Sequence, residues 1–164
     1  KEEGEMMRRL IVTISLSAAA LVGIVVSEGY TDRAVIPVPG DVPTIGFGTT
    51  EGVKMGETTT PPKALARALQ DVERYEGALK LCVKVPLYQY EYDAYVSLAY
   101  NIGSRAFCSS TLARKLNEGD YPGACREILR WDRFRGQRLR GLTTRREREY
   151  RQCIGEAGAG GALQ

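Results

Sequence analysis

Two carboxylates and a hydroxyl group lie close together early in this 164-residue chain. Glu28 directly follows an apolar stretch, Asp41 lies in a Pro-Gly-Asp turn, and Thr44 begins a short glycine-containing segment. Hydrolysis of a glycosidic bond needs one carboxyl group that carries a proton and a second group that guides water or attacks the anomeric carbon. Burial at a helix end favours a protonated carboxyl, and a solvated turn favours an ionised one. The pattern therefore predicts Glu28 and Asp41 as the catalytic carboxylates, with Thr44 holding a water molecule.

The residue types that are missing narrow the chemistry further. The chain contains no histidine, which excludes histidine-based triads, histidine metal ligands and histidine general bases. Its four cysteines form no Cys-x-x-Cys pair, so the sequence predicts no zinc site. Proton transfer near neutral pH must then come from Asp, Glu, Cys, Tyr or Lys side chains.

The segment from 28 to 50 must position these groups, and its pattern is typical of loops and short strands. Its prolines prevent a helix. The stretch Thr44–Thr49 alternates apolar with small residues, as a short strand does. Because Gly46 and Gly48 would let a polymer approach the backbone closely, we predict that these glycines and Thr49 bind substrate.

Helical patterns dominate the rest of the chain. The first predicted helix begins at Pro61 after a Thr60 cap and has Leu65, Leu69 and Val72 on one face. The second runs from about Leu87 to Asn101, with Tyr92, Val96 and Ala99 inward. Three more helices are predicted from Ser109 or Ser110 to Leu116, from Pro122 to Trp131, and from a capping box at Thr144 to Cys153. Gly103 is expected to stop the second of them. The sequence thus predicts an α+β protein with a small loop-and-strand lobe and a mostly helical lobe.

The four cysteines suit two disulfides if the chain reaches an oxidising compartment. Three pairings are possible, and the predicted helices favour Cys82–Cys108 with Cys125–Cys153, because Cys125 and Cys153 lie on two C-terminal helices. The alternative is four reduced, buried cysteines in a cytosolic protein.

An uncharged segment near the N-terminus, Leu10–Ser27, follows Arg8 and Arg9. Its eighteen residues are at the short end of what spans a bilayer, and the preceding arginines favour an N-terminus that stays inside. A cleavable signal peptide, a buried core helix and a weak membrane anchor are the competing interpretations. Cleavage near Ala20 would remove most of the helix that supports Glu28, so we favour the anchor.

Positive charge is concentrated towards the C-terminus. Ten arginines lie between Arg126 and Arg151, among only four acidic residues. Such a basic region indicates either an anionic polymer as partner or a solvated helical surface. The aromatic residues do not interleave with these arginines as in a nucleic-acid-binding motif, so we predict no nucleic acid partner.

The stretch Glu28-Gly-Tyr, followed by Pro43-Thr44-Ile-Gly-Phe-Gly-Thr49, resembles the active site of the phage lysozyme family, in which a catalytic Glu is followed by Asp or Cys and then by a Thr-x-Gly-x-Gly strand. The resemblance extends to about Ile154 through segments that stand in the family's order: Gln89–Gly103, Ser110–Leu112, Lys115–Asn117, Gly119-Asp120, Trp131, Gly141–Glu147, Glu149 and Cys153.

This resemblance implies a two-lobed lysozyme fold over residues 28–154, with a sugar-binding cleft between the lobes. It implies hydrolysis of the β-1,4 bond between N-acetylmuramic acid and N-acetylglucosamine in peptidoglycan, with Glu28 as general acid and Thr44 as the hydroxyl that positions water. The resemblance implies no metal and no cofactor. Two alternatives are a lytic transglycosylase, which forms an anhydro sugar without water, and a peptidoglycan-binding protein without activity.

The second carboxylate departs from the family's spacing. In the family it usually lies nine residues after the Glu, where this chain has Pro37, and the stretch from Glu28 to Thr44 is one residue longer. Asp41 is the nearest substitute, three residues before Thr44, and Asp32 is a weaker one. The role of Asp41 is thus an expectation from residue chemistry.

A weak hydrophobic segment at the start of such a chain resembles that of a signal-anchor-release endolysin. The resemblance implies export from the host cytoplasm, transient tethering to the inner membrane through Leu10–Ser27, and release to the periplasm. We accordingly predict an anchor over residues 1–27, a catalytic domain over 28–154, a flexible tail over 155–164, and a monomer.

Overall fold

The computed structural model describes residues 7–156. The helices are α1 (Ala18–Glu28), α2 (Pro61–Cys82), α3 (Gln89–Ile102), α4 (Ser104–Cys108), α5 (Thr111–Asn117), α6 (Tyr121–Glu127) and α7 (Arg140–Cys153). The strands are β1 (Thr31–Val35), β2 (Thr44–Gly46), β3 (Arg133–Phe134) and β4 (Gln137–Arg138), and short 3-10 turns cover Ile11–Thr13 and Ile128–Arg130. The predicted α+β lysozyme-like architecture is confirmed. Most of the predicted tail lies outside the described residues.

The small lobe is built on an antiparallel ribbon of β1 and β2. Thr31 pairs with Gly46 and Val35 pairs with Thr44. A separate small core of Ala34, Ile45 and Val53 lies beneath the ribbon. Because β1 begins three residues after the end of α1, this pairing brings the glycine-rich turn after β2 next to the C-terminal end of α1.

Helix α1 carries Glu28 as its last residue. Ser17 caps its N-terminus by accepting a hydrogen bond from the Ala20 amide over 3.1 Å. Gly29, with a φ of +70°, then turns the chain out of the helix. Ile24 of this helix is buried in the main core, and the preceding residues also pack onto the domain through Ile11 and Ile14. Within residues 7–156, none of the helices is both long and apolar enough to cross a membrane.

The apolar face that the sequence marks on α2 is buried only in part. Leu65 and Leu69 are exposed, and Ala64 and Ala68 are buried, together with the correctly predicted Val72. The small residues face inward because the backbone of the small lobe approaches closely: a Cβ on Gly46 would lie 2.8 Å from that of Ala64. A leucine at position 64 would therefore separate the lobe from the helix.

Helix α3 forms the centre of the main core, as the sequence predicted. Tyr92, Val96 and Ala99 are fully buried, and Gly103, with a φ of +90°, ends the helix. Around it pack α1, α2, α4 and α7. Helix α4 follows directly after Gly103 and had not been predicted.

The C-terminal elements agree in part with the prediction. Ser110 caps α5, and α6 with its 3-10 extension covers most of the predicted helix from Pro122 to Trp131. The predicted capping box at Thr144 is wrong, because α7 already begins at Arg140. An unpredicted hairpin, β3–β4, ends at Arg138 and leads through Leu139, the N-cap residue, into α7.

Two disulfides join the helices of the larger lobe. Cys82, at the end of α2, bonds with Cys108 at the end of α4, and Cys125 on α6 bonds with Cys153 at the end of α7. The favoured pairing is therefore confirmed. Both bonds are expected to stabilise the lobe by restricting its unfolded chain.

The buried tyrosines of α3 predict a loss of stability in alkali. Burial raises the pKa of Tyr92, Tyr95 and Tyr100 above its ordinary value of about 10. Above pH 10 the unfolded tyrosines ionise while the folded ones keep their protons, so the free energy of unfolding falls by about 1.4 kcal/mol per pH unit for each. In urea titrations between pH 9 and 11.5, Tyr95→Phe should reduce the slope of the free energy of unfolding against pH by the contribution of one tyrosine. An unchanged slope would contradict this explanation, and Tyr30→Phe, on an exposed residue, is the control.

Candidate active site

The carboxyl group of Glu28 is held by a cation from the far end of the chain. Arg145 on α7 donates a hydrogen bond from Nη1 to Glu28 Oε1 over 2.6 Å. The side chain of Glu28 is 18% exposed and that of Arg145 is 9% exposed. The contact fixes the carboxyl in one orientation and leaves part of it open to solvent. Sequence reasoning expected apolar surroundings for Glu28 and missed this guanidinium.

Arg145 is itself positioned by a buried polar network between α3 and α7. Its Nε donates to Glu149 Oε1 over 3.2 Å, and the same oxygen accepts from Ser97 Oγ over 2.7 Å. Arg146 approaches Glu149 Oε2 to 2.7 Å through Nε, as an ion pair, and donates from Nη1 to Asn101 Oδ1 over 2.9 Å. Burial lowers the pKa of Arg146 from its ordinary value. The network ties Glu28 to the core of the larger lobe.

The turn after β2 lies against Glu28 from the other side. Gly48 has a φ of +82°, and a Cβ there would lie 2.9 Å from Glu28 Oε2. Tyr100 on α3 donates its hydroxyl to the Phe47 carbonyl over 2.8 Å. These contacts place the backbone of the turn directly beside the carboxyl group, as a glycine-rich segment allows.

The three predicted substrate-binding residues take different positions. Gly48 lies beside Glu28, whereas Gly46 is buried against Ala64 of α2. Thr49 is also buried, and its hydroxyl donates to Asp71 Oδ2 over 2.7 Å. Burial raises the pKa of this Asp71 carboxyl, and the bond from Thr49 opposes the shift. Of the three residues, Gly48 is the one whose backbone borders Glu28.

Thr44 and Asp41 lie on the small lobe. Thr44 begins β2, is half-buried, and donates its hydroxyl to the Val42 carbonyl over 3.3 Å. Asp41 is exposed in the preceding loop, where its Oδ1 accepts a hydrogen bond from the Val42 amide over 2.9 Å. Asp32 is also exposed, on β1, and its carbonyl accepts from the Thr59 amide over 2.8 Å.

The loop that carries Asp41 also touches the larger lobe. Arg135, in the turn of the β3–β4 hairpin, donates to the Pro39 carbonyl over 3.0 Å. Its guanidinium approaches so near that a Cβ on Gly40 would lie 3.4 Å from it. Arg135 has a φ of +49°, a strained value for a residue with a side chain. The contact joins the two lobes next to Asp41.

Comparison with known proteins identifies the family of the chain that carries this site. A family model described as phage lysozyme matches residues 26–149, which include Glu28, the glycine-rich turn and the Arg145 network. The chain belongs to the phage lysozyme family.

Relatives within the phage lysozyme family match over most of their length. The SAR-endolysin of Pseudomonas phage phiKMV is 36% identical over 84% of this chain and 87% of its own, and the SAR-endolysin of Enterobacteria phage P21 is 31% identical over 86% and 87%. Among solved structures, the endolysin from Escherichia coli O157:H7 phage FAHEc1 superposes with a TM-score of 0.76 at 33% identity, covering 88% of this chain and 96% of that one.

Several members of this phage lysozyme site were not found from the sequence. Arg145 and Arg146 belong to the run of arginines that indicated a basic surface or a polymer-binding region, yet both are buried in ion pairs. Glu147 in the same helix is exposed. The spacing of these residues was the one available sign of burial, because residues 145, 146 and 149 share one helical face. Reading that face as buried would have distinguished them from the exposed arginines of the same helix.

Gly48 offers a direct test of the site's geometry. Gly48→Ala places a Cβ 2.9 Å from Glu28 Oε2, so the carboxyl group must shift away from its position. Misplacing a reacting group by as much as about 1 Å costs on the order of 100-fold in activity, which sets the upper end of the expected loss. Gly52→Ala is the matched control, because Gly52 has a similar φ of +69° but open space where its Cβ would lie. We expect both variants to lose about 1 kcal/mol of stability and Gly48→Ala alone to lose activity on peptidoglycan. Equal activities would contradict the close contact.

Proposed function

We propose that this protein is an endolysin, a glycoside hydrolase of the lysozyme type that cuts the glycan strands of bacterial peptidoglycan. The observation that carries the proposal is the partly open Glu28 carboxyl, clamped by Arg145 and bordered by the backbone of Gly48, in a chain of the phage lysozyme family. The scissile bond is the β-1,4 linkage between N-acetylmuramic acid and N-acetylglucosamine.

Glu28 acts as the general acid in the proposed reaction. It gives its proton to the glycosidic oxygen as the bond to the anomeric carbon breaks, and water completes the new reducing end. The fixed position of Oε1 on Arg145 leaves Oε2, on the Gly48 side, to face the sugar. No catalytic step needs a metal ion.

Asp41 and Thr44 complete the proposed machinery from the small lobe. Exposure keeps Asp41 hydrated, and its loop is held towards the larger lobe by Arg135. The Asp41 side chain stabilises positive charge that develops at the anomeric carbon, and the Thr44 hydroxyl orients the water. Asp41→Asn and Thr44→Val are the variants that test these two roles individually.

Digestion of purified peptidoglycan tests the reaction type. We expect new reducing ends and, by mass spectrometry, muropeptides that end in intact N-acetylmuramic acid. Products 18 mass units lighter with an anhydro ring would instead indicate a lytic transglycosylase, as their formation takes up no water. Binding to peptidoglycan without soluble products would indicate a wall-binding protein, and either result would overturn the proposal.

We also propose that the chain is exported, tethered to the inner membrane through Leu10–Ser27 and then released to the periplasm as a monomer. The absence of charge in this segment and the similarity of the chain to SAR-endolysins support the tether. Ser15 is exposed and a Cβ on Gly23 meets open space, so leucine at either position fits the released form. Ser15→Leu and Gly23→Leu should strengthen the anchor and delay lysis.

The matched control for these anchor variants is Gly77→Leu on α2, at an exposed position outside the segment where a Cβ also meets open space. It adds the same side chain and is expected to leave the time of lysis unchanged. The anchor proposal fails if the two variants in the segment lyse cells as early as this control.

A further inference from the structure

Arg8, which precedes the apolar segment Leu10–Ser27, packs against the folded domain. The guanidinium of Arg8 lies over the ring of Tyr121, 3.6 Å from its centroid, and over that of Tyr88, 4.3 Å from its centroid. It also pairs with Glu91 on α3, with 2.9 Å between Nη2 and Oε1. Two aromatic faces and a carboxylate around one guanidinium form a cation-binding cage.

Glu91 makes this cage more than a surface contact. Its side chain is 3% exposed, and a buried carboxylate is unfavourable unless a cation accompanies it. Burial raises the pKa of Glu91, and the hydrogen bond and charge of Arg8 oppose that shift. Arg8 therefore supplies the positive charge that this buried position needs.

The residues after Arg8 continue along the same surface. The backbone of Arg9 exchanges two hydrogen bonds with Leu87, of 2.8 and 2.9 Å. Farther along, Asp93 on α3 accepts from the amide and the hydroxyl of Ser17, over 3.0 and 2.7 Å. Ser17 in turn caps α1, which ends at Glu28. A continuous series of polar contacts thus leads from the cage to the helix that carries the catalytic acid.

We propose that Tyr88, Tyr121 and Glu91 form a docking site for a guanidinium, that its ligand is Arg8 of the chain's own N-terminal segment, and that this clasp draws the released segment onto the domain. The inference rests on the proposed anchor. While the segment spans the membrane, Arg8 lies on the cytoplasmic side and the cage lies in the periplasm, so the two cannot meet. Their contact exists in the released state alone, and such a contact shifts the balance towards release.

Arg8 and Arg9 provide a matched pair of variants. Arg8→Gln and Arg9→Gln remove the same charge from the same side of the segment, so both change the electrostatics of membrane insertion equally. Only Arg8 lies in the cage; the Arg9 side chain bonds Gln89 at an exposed position over 2.8 Å. After depolarisation of cells that express the full chain, we expect the ratio of soluble to membrane-bound protein to fall at least about tenfold for Arg8→Gln. Arg9→Gln should show only the effect of losing one charge, so its ratio should stay well above that of Arg8→Gln.

The cage can also be altered without touching the N-terminal charges. Glu91→Gln should reproduce the release defect of Arg8→Gln, and the double variant should be no worse than either single one, because both remove the same contact. Arg8→Gln that releases like Arg9→Gln, or Glu91→Gln that releases like the wild type, would overturn the clasp. Wild-type protein that is already soluble before depolarisation would instead overturn the proposed anchor.

Discussion

Glu28→Gln is expected to lower kcat on peptidoglycan by about 1,000-fold, the range by which a positioned general acid accelerates a reaction. The amide is close in shape to the carboxyl, and its oxygen still accepts the hydrogen bond from Arg145, but it has no acidic proton to give. The fold and its thermal midpoint should therefore change little. Turbidity loss of outer-membrane-permeabilised Gram-negative cells and release of reducing sugar both measure the effect.

Glu147→Gln is the matched control for this variant. Glu147 lies on α7 two residues after Arg145 but is exposed, so the same change in charge occurs near the site without touching it. We expect wild-type activity from it. Should Glu28→Gln retain more than a few per cent of the activity, the catalytic acid lies elsewhere and the proposed reaction has the wrong residue at its centre.

Glu149→Gln is expected to destabilise the protein by about 3 to 5 kcal/mol, the cost of leaving a buried cation without its partner. Glu149 and Arg146 are 2% and 1% exposed, so water cannot replace the missing charge. For a domain of this size each kcal/mol shifts Tm by about 2 to 4 °C, so a fall of roughly 10 °C follows. Calorimetry measures the shift, with Glu147→Gln again as control.

A double variant separates charge burial from packing. Arg146→Met with Glu149→Leu removes both charges and fills the space with apolar groups, so it should lose much less stability than Glu149→Gln alone. Its activity should still fall, since Arg145 loses the carboxylate that orients it towards Glu28. A double variant as unstable as Glu149→Gln would show that shape rather than charge dominates at this position.

The sequence predicted those elements that are determined by residues close to one another in the chain. Tyr92, Val96 and Ala99 mark the inner face of α3 by helical spacing, and a glycine in the left-handed region ends that helix at Gly103. The position of Glu28 at the end of an apolar helix was equally visible. Such features depend on residues within a few turns of one another, so a single sequence contains them.

Long-range contacts account for what the sequence did not predict. The inward face of α2 is set by the close approach of Gly46 to Ala64, which favours alanine over the neighbouring Leu65. The start of α7 is set by the hairpin before it rather than by Thr144. Arg145 meets Glu28 across 117 positions of sequence, and no local spacing signals that pairing.

Both disulfides close loops within residues 82–153, so none of them reaches α1 or the small lobe. The half of the site that holds Arg145 is cross-linked by disulfides, whereas the half that holds Glu28 is held against it by non-covalent contacts and has no cross-link beyond the polypeptide chain. Activity is then governed by the free energy of a local opening that parts these two residues, which is smaller than that of global unfolding. Glu28 can then move away from Arg145 while the disulfide-bonded half of the site keeps its shape.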